Sequence, residues 1–208
     1  MKNLEQFEAH FTRTPIIAIL RGVSPDEAVA IGTALVDAGI SLIEVPLNSP
    51  DPFVSISRLA TSLSGKAVIG AGTVLSPEDV EKVRTAGGTM IISPNTDVEV
   101  IKASVTSGLV SLPGCFTPTE AFAALHAGAH GLKIFPGEAA SQKTVKALNA
   151  VLPKGTRLLL VGGVDADNIR DWKGTPISGF GIGSGLYKAR DTVATVARKA
   201  DRFMAAIK

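Results

Sequence analysis

The sequence predicts an α/β fold, a compact (β/α)8 TIM barrel with an extra N-terminal helix. Eight short runs rich in Ile, Val and Leu recur along the 208 residues, separated by segments with helical spacing. Strands that are apolar on both faces and alternate with amphipathic helices are typical of a parallel sheet covered by helices. Residues 1–208 are therefore expected to form a single barrel domain. An open doubly wound sheet is the alternative, although no long insertion or dinucleotide fingerprint marks a switch point.

The elements are expected in a regular order. Residues 2–12 predict a helix before the first strand, and residues 186–207 predict a closing helix. The units between them repeat at about 20 to 25 residues, which is short for a typical ~250-residue barrel. The eight predicted strands are PIIAIL, SLIEV, KAVIG, TMIIS, LVSLP, GLKIF, RLLLVGG and ISGFGIG.

Helix boundaries are marked by capping signals. A hydroxyl side chain followed by proline can cap free N–H groups, and it predicts helix starts at Ser24, Ser49, Ser76 and Thr117. A glycine before the next apolar run can take the left-handed turn that ends a helix, which predicts helix ends at Gly39, Gly87, Gly108 and Gly128.

Composition excludes several classes of partner. Lys plus Arg number 21 against 19 for Asp plus Glu, with one Trp and one Tyr, so nucleic-acid binding is poorly supported. No apolar run approaches the roughly 20 residues that span a bilayer, so no membrane partner is expected. The N-terminus mixes charges where a secretory signal needs an apolar core, and the lone Cys115 cannot form an internal disulfide. These features predict a cytoplasmic protein.

Four polar residues lie at or near the ends of predicted strands. In a TIM barrel the carboxyl ends of the strands meet at one face, and active sites form there. The four side chains are therefore expected to converge on one pocket, although they span most of the sequence. They are Arg21, Glu44, Thr73 and Lys133.

Lys133 lies inside the apolar run GLKIFP. In an apolar, partly desolvated site its amine would have a lowered pKa and act as a nucleophile. The alternative is a lysine whose stem is buried and whose amine pairs with an acid. Glu44 is either a general base or the buried ion-pair partner of Arg21 or Lys133. Arg21 is either an anion ligand or a surface salt-bridge residue. Thr73 is either a substrate contact or a turn residue.

Two glycine-rich turns predict a phosphate site. VGGV at 161–164 ends the seventh predicted strand and GIGSG at 181–185 ends the eighth, where barrels often hold phosphate. Glycine exposes backbone N–H groups to an oxyanion, and a short helix beginning near Ser184 would add its positive end. The alternative is that both segments are ordinary tight turns that bind no phosphate. Neither turn matches the dinucleotide or P-loop motifs.

A metal site is not expected. His126 and His130 are four residues apart, but Gly128 lies between them and the pair straddles a predicted helix end. Cys115 follows a strand without a partner histidine, so packing is its expected role.

The chain resembles the 2-keto-3-deoxy-6-phosphogluconate and -galactonate aldolases in segments that follow one another from Pro15 to Tyr187. Members of this family are class I aldolases on a compact TIM barrel, commonly trimeric and metal-independent. The resemblance therefore implies a homotrimer with no cofactor. The segments are PIIAILRGVSPDEA, IEVPLNSP, IGAGTVLSPE, ISPNTD, LPGCFTPTEA, LKIFP, VGGV and GIGSGLY.

The resemblance also implies roles for residues. Lys133 would be the Schiff-base lysine and Glu44 the acid/base. Substrate contacts are implied for Arg21, Thr73 and Pro94, and phosphate contacts for Gly162, Gly163, Gly183 and Ser184.

Two positions are more similar to the galactonate branch. Gluconate-type members commonly have threonine just before the Gly-Gly pair and arginine in the loop after the glutamate, whereas this chain has Val161 and Asn48. Val161 lacks a hydroxyl that would help one C4 epimer. The resemblance thus implies cleavage of 2-dehydro-3-deoxy-6-phosphogalactonate to pyruvate and glyceraldehyde 3-phosphate. The alternatives are the gluconate epimer, a sugar-phosphate epimerase or isomerase on the same barrel, and a silent phosphate-sugar binder.

Overall fold

A computed structural model describes residues 2–207. Within this range, parallel strands form one sheet in the order β5-β4-β3-β2-β1-β9-β8-β7-β6. The strands are β1 (Ile16–Ile19), β2 (Leu42–Pro46), β3 (Val68–Gly72), β4 (Met90–Ile92), β5 (Val110–Leu112), β6 (Gly114–Cys115), β7 (Leu132–Ile134), β8 (Leu158–Val161) and β9 (Ile177–Ile182). The helices are α1 (Lys2–Arg13), α2 (Pro25–Asp37), α3 (Pro52–Ser62), α4 (Pro77–Thr85), α5 (Val98–Thr106), α6 (Pro118–His126), α7 (Gln142–Val151) and α8 (Val193–Ile207).

The segment around Pro113 closes the barrel. β5 pairs with β4, whereas β6 pairs with β7, so a single stretch of chain joins the two edges of the sheet. Pro113 interrupts the strand because it has no N–H to donate, but its carbonyl accepts a hydrogen bond from the Lys133 N–H at 2.8 Å. The eight predicted apolar runs therefore become nine strands within residues 2–207, arranged as the expected barrel.

Helix α1 covers the N-terminal end of the barrel. Phe7 and Phe11 lie one turn apart on its buried face and pack with side chains inside the barrel. Arg157 lies over the Phe11 ring at 4.6 Å, and its Nη1 and Nη2 donate to the two carboxylate oxygens of Glu8. The predicted extra helix thus closes the end of the barrel opposite the carboxyl ends of the strands.

Most predicted helix boundaries are confirmed. Ser76 and Thr117 accept hydrogen bonds from backbone N–H groups at the starts of α4 and α6, and Ser24 precedes α2 in a capping box. The glycines predicted to end helices all have positive φ, namely Gly39, Gly87, Gly108 and Gly128.

Three local predictions were wrong. The third helix begins at Pro52 after Asp51, and Ser49 instead accepts a hydrogen bond from the Gly22 N–H at 2.9 Å. The closing helix begins at Val193 rather than at 186, because residues 188–192 form turns in which Asp191 accepts from the Lys188 N–H. After β8 the chain forms only a short 3₁₀ helix, Ile169–Trp172, where a full helix was expected.

No helix within residues 2–207 combines the length and apolarity needed to cross a membrane.

Candidate active site

Lys133 lies in the middle of β7 with its side chain inside the barrel. Its neighbours Leu132 and Ile134 point outward into the core beneath the helices, and strand alternation directs Lys133 the opposite way. The residue is 6% exposed, and its Nζ lies 4.6 Å from the centre of the Phe135 ring. A small cavity is lined by Lys133 together with Glu44. The amine of Lys133 therefore lies in the barrel interior, as the apolar run around it predicted.

Glu44 lies in β2 and also points into the barrel. Ile43 and Val45 on either side belong to the outer core, and Glu44 is 2% exposed. Its Oε2 is buried and has no hydrogen-bond partner among the described residues. Gly72 makes room for it, because a methyl group at Gly72 would lie 1.3 Å from that oxygen. An unpartnered buried carboxyl oxygen is costly, and such groups are concentrated at functional sites.

Burial shifts the pKa values of Glu44 and Lys133 in the directions that favour their uncharged forms. Desolvation raises the pKa of Glu44 to about 7, although the charges of Lys133 and Arg21 oppose the shift. Desolvation also lowers the pKa of Lys133; Glu44 opposes this change and Arg21 adds to it. No ion pair within 4.0 Å joins Glu44 to either cation in the described part of the chain. The site therefore combines an amine of lowered pKa with a carboxyl group that titrates near neutrality.

Arg21 is held at the rim of the site by two neighbouring loops. Its Nη1 donates to Asn48 Oδ1 at 2.5 Å and its Nη2 to Thr73 Oγ1 at 3.4 Å. Thr73 has φ 57, a left-handed conformation that is strained for a β-branched residue and is found mostly at functional sites. The four strand-end residues therefore converge as predicted. The sequence did not identify Asn48 as the partner of Arg21, although its position just after β2 was the available signal.

Val161 lines the cavity of Lys133 and Glu44, whereas Pro94 lies against Gly114 next to β7. Pro94 follows β4, and its carbonyl oxygen would lie 2.2 Å from a methyl group at Gly114, the residue paired with Lys133. Val161 is 8% exposed and lines the same cavity as Lys133 and Glu44. Its methyl groups therefore contribute to the surface around the candidate catalytic pair.

The turn after β8 is a left-handed double-glycine turn. Gly162 and Gly163 have φ 107 and 69, and Asn168 Nδ2 donates to the Gly163 carbonyl at 2.7 Å. The carboxylate of Glu138 lies beside this turn, since its Oε2 would be 2.4 Å from a methyl group at Gly162. Sequence reasoning missed both Asn168 and Glu138. Glu138 is 24 residues before Gly162, and a contact over that separation leaves no local signal in the sequence.

The turn after β9 differs from its prediction. Gly183 and Ser184 are followed by turns and not by a helix. The Leu186 and Tyr187 N–H groups both donate to the Gly183 carbonyl at 2.9 Å, which closes a single turn. Backbone N–H groups remain the candidate anion ligands here, but without the positive end of a helix.

The described residues contain no group of three or more His, Cys, Asp or Glu side chains able to hold a metal ion. His126 ends α6, whereas His130 Nδ1 accepts a hydrogen bond from the Ser111 N–H at 3.1 Å. Cys115 is buried, and desolvation raises the pKa of its thiol to about 12. A thiol with so high a pKa is unreactive near neutrality.

The model of one protein family, KDPG and KHG aldolase, matches residues 7–198. The chain belongs to this aldolase family. It is 46% identical over 195 residues to the 2-dehydro-3-deoxy-6-phosphogalactonate aldolase of Escherichia coli, covering 94% of this chain and 95% of that protein. It is 31% identical over 175 residues to the KHG/KDPG aldolase of E. coli, covering 83% and 81%.

A solved structure described as native KDPGal superimposes with a TM-score of 0.92 at 46% identity, covering 94% of this chain and 95% of that one. The KDPG and KHG aldolase family membership and this similarity establish the TIM-like barrel with its N-terminal helix. Members of the family are named as aldolases, enzymes that cleave carbon–carbon bonds, so the chain is a lyase.

Proposed function

We propose that this lyase is a class I aldolase that reversibly cleaves 2-dehydro-3-deoxy-6-phosphogalactonate to pyruvate and glyceraldehyde 3-phosphate. The observation that carries the proposal is the pair Lys133 and Glu44, an amine of lowered pKa and a carboxyl group of pKa about 7 that line one buried cavity. The relative at 46% identity bears the name of this activity, which supports the galactonate substrate.

In the first step the neutral amine of Lys133 adds to the C2 ketone, one proton is taken up from solvent, and water leaves, giving an iminium ion. The lowered pKa of Lys133 supplies the neutral amine near neutral pH. Arg21, held by Asn48 and Thr73, is placed to bind an anionic end of the substrate. We assign it the carboxylate, because Arg21 lies close enough to Lys133 and Glu44 to influence the pKa of both.

In the second step Glu44 removes the proton of the C4 hydroxyl. The C3–C4 bond breaks, its electron pair moves into the iminium to form an enamine, and the aldehyde product is released. Glu44 then returns the proton to C3, and water hydrolyses the regenerated iminium to free pyruvate and the Lys133 amine. A group with pKa about 7 is suited to both accepting and returning this proton near neutrality.

The two turns after β8 and β9 are proposed to hold the phosphate. Gly162, Gly163 and Gly183 carry no side chain of their own over their backbone N–H groups, and Ser184 adds an exposed hydroxyl. Pro94 is proposed to contact the substrate from the β4 side. The two turns and Pro94 would together hold the substrate with its phosphate at the rim of the barrel and its ketone at Lys133.

Val161 supports the galactonate epimer over the gluconate epimer. It lines the cavity with Lys133 and Glu44 but offers no hydrogen bond to a C4 hydroxyl. The gluconate compound remains the second candidate substrate, because the relative at 31% identity is named a KHG/KDPG aldolase.

We also propose that the enzyme is a cytoplasmic homotrimer that acts on small molecules without a cofactor. An apolar groove between α6 and α7 presents Phe116 and Val151, which are 42% and 58% exposed in the single chain. Contacts with further copies would cover these side chains. The free, buried thiol of Cys115 is compatible with a reducing compartment.

Borohydride trapping tests the proposal directly. Purified protein incubated with pyruvate and borohydride should gain a reduced three-carbon adduct on the peptide that contains Lys133. An epimerase or a silent binder would give no adduct, and an adduct on another lysine would contradict the assignment. Lys133→Arg is the matched control, since it keeps a long basic side chain that cannot form the iminium. Cleavage assays on both epimers, run side by side, then identify the preferred substrate.

A further inference from the structure

A partly buried hydrogen bond joins the segments that follow the first and last strands of the barrel. Tyr187 lies five residues after β9 and is 2% exposed, and its Oη donates to Glu27 Oε1 at 2.7 Å. Glu27 lies in the first turn of α2, shortly after β1. A buried tyrosine hydroxyl needs a partner, and here that partner is a carboxylate 160 residues away in the sequence.

On one side, Tyr187 is tied to the turn proposed to bind phosphate. Its backbone N–H donates to the Gly183 carbonyl at 2.9 Å, so its main chain forms part of the same turn as Gly183 and Ser184. The Tyr187 ring belongs to the large hydrophobic core between sheet and helices. The side chain therefore anchors this turn from behind, and Tyr187 is not among the residues that line the cavity at Lys133.

On the other side, Glu27 fixes the loop that carries Arg21. The same Oε1 accepts a hydrogen bond from the Ser24 N–H at 3.0 Å, which holds the start of α2. Gly22 lies against the segment after Tyr187, because a methyl group there would be 3.3 Å from Ala189 Cβ. The two loops are thus joined by both a hydrogen bond and close packing.

We propose that Tyr187 is a positioning residue for the phosphate end of the substrate, acting through its hydrogen bond to Glu27. This bond fixes the Gly183–Ser184 turn relative to Arg21, and so sets the spacing between the sites for the two anionic ends. The inference rests on the proposed function, in which that turn binds phosphate.

The test compares aldehydes with and without phosphate. In the condensation direction, kcat/KM is measured for pyruvate with glyceraldehyde 3-phosphate and with glyceraldehyde, and their ratio gives the phosphate preference. Tyr187→Phe should lower this ratio about 2-fold to 13-fold, the range that one hydrogen bond carries. Exchange of the pyruvate methyl protons with deuterium depends on Lys133, Glu44 and the carboxylate contact of Arg21 but not on the phosphate turn, and it should be unchanged.

Two variants of Glu27 provide matched controls. Glu27→Gln keeps a side-chain oxygen that can accept from both Tyr187 and Ser24, and it should preserve the ratio. Glu27→Ala removes the acceptor and should lower the ratio as Tyr187→Phe does, which also provides a second variant if Tyr187→Phe fails to fold.

Two results would overturn the inference while leaving the proposed function intact. One is an unchanged ratio in Tyr187→Phe. The other is an equal loss for both aldehydes and for deuterium exchange, since this would indicate general destabilisation and not positioning of the phosphate. A wild-type protein without phosphate preference would instead refute the phosphate assignment, and this inference with it.

Discussion

Replacing Gly72 by alanine should displace Glu44 and impair proton transfer while leaving the lysine chemistry intact. Gly72 ends β3 beside β2, and its φ lies outside the left-handed region, so alanine suits the backbone. The obstacle is steric, because the new methyl carbon would lie 1.3 Å from Glu44 Oε2 and 2.4 Å from its Cδ. The strand itself cannot easily retreat, since the Gly72 carbonyl accepts from the Leu47 N–H at 2.8 Å.

The size of the effect follows from this geometry. Nonbonded contact requires about 3.5 Å, so the carboxylate must move by roughly 2 Å. Misplacement of a catalytic group by about 1 Å can cost on the order of 100-fold in rate. We therefore expect kcat for cleavage to fall by at least about 100-fold in Gly72→Ala, within the 10²- to 10⁴-fold range that general acid–base catalysis contributes.

A double-mutant cycle assigns the loss to Glu44. Cleavage is followed by pyruvate release for Gly72→Ala, Glu44→Gln and the combined variant, with borohydride trapping in parallel. If the methyl group acts through Glu44, the combined variant should be no slower than Glu44→Gln alone. Trapping at Lys133 should persist in all three. Wild-type kcat in Gly72→Ala, or fully additive losses in the combined variant, would refute the reasoning.

Three further expectations can be measured with the same cleavage assay. Val161→Thr introduces a hydroxyl into the cavity that Lys133 and Glu44 line, and it should shift the kcat/KM ratio toward the gluconate epimer by about 2- to 13-fold, the value of one hydrogen bond; an unchanged ratio would point to the loop at Asn48. Because Glu44 must be ionised to take the C4 proton and has a pKa of about 7, kcat/KM for cleavage should fall as pH drops below about 7. A profile flat from pH 5 to 8 would contradict that role. Full activity should survive dialysis against a chelator, whereas strict dependence on an added divalent ion would overturn the class I assignment.

The barrel could be predicted because its signals are local and repeated. The glycines at 39, 87, 108 and 128 end their helices with positive φ as expected, and apolar runs mark the strands. The errors arose where tertiary contacts override local signals. Ser49 has the sequence of a helix cap, but its hydroxyl accepts from the Gly22 N–H and so joins two loops that are distant in sequence.

The candidate site could be predicted because its charged residues interrupt apolar strands. Its supporting residues could not, because they leave no such pattern in the sequence. Lys133 and Glu44 stand out as charged residues within apolar strands, and the barrel brings the ends of those strands together. Tyr187 acts from a distance, through a hydrogen bond to the side chain of Glu27 160 residues earlier in the sequence. A side chain that binds a remote backbone or loop leaves no periodicity or charge pattern in a single sequence.

At the end of β3, residues that reduce the stability of the fold lie next to the proposed catalytic and binding side chains. Gly70 allows close approach of β4, since a methyl group there would lie 2.2 Å from the Met90 carbonyl oxygen, and Gly72 leaves the space occupied by Glu44. Thr73 then takes a left-handed conformation that costs on the order of 1 to 3 kcal/mol and places its hydroxyl beside Arg21. Glycines inside a strand and strain at a threonine all reduce stability. Gly70 is explained by the packing of the barrel strands, whereas Gly72 and Thr73 are explained by the side chains that they position, Glu44 and Arg21.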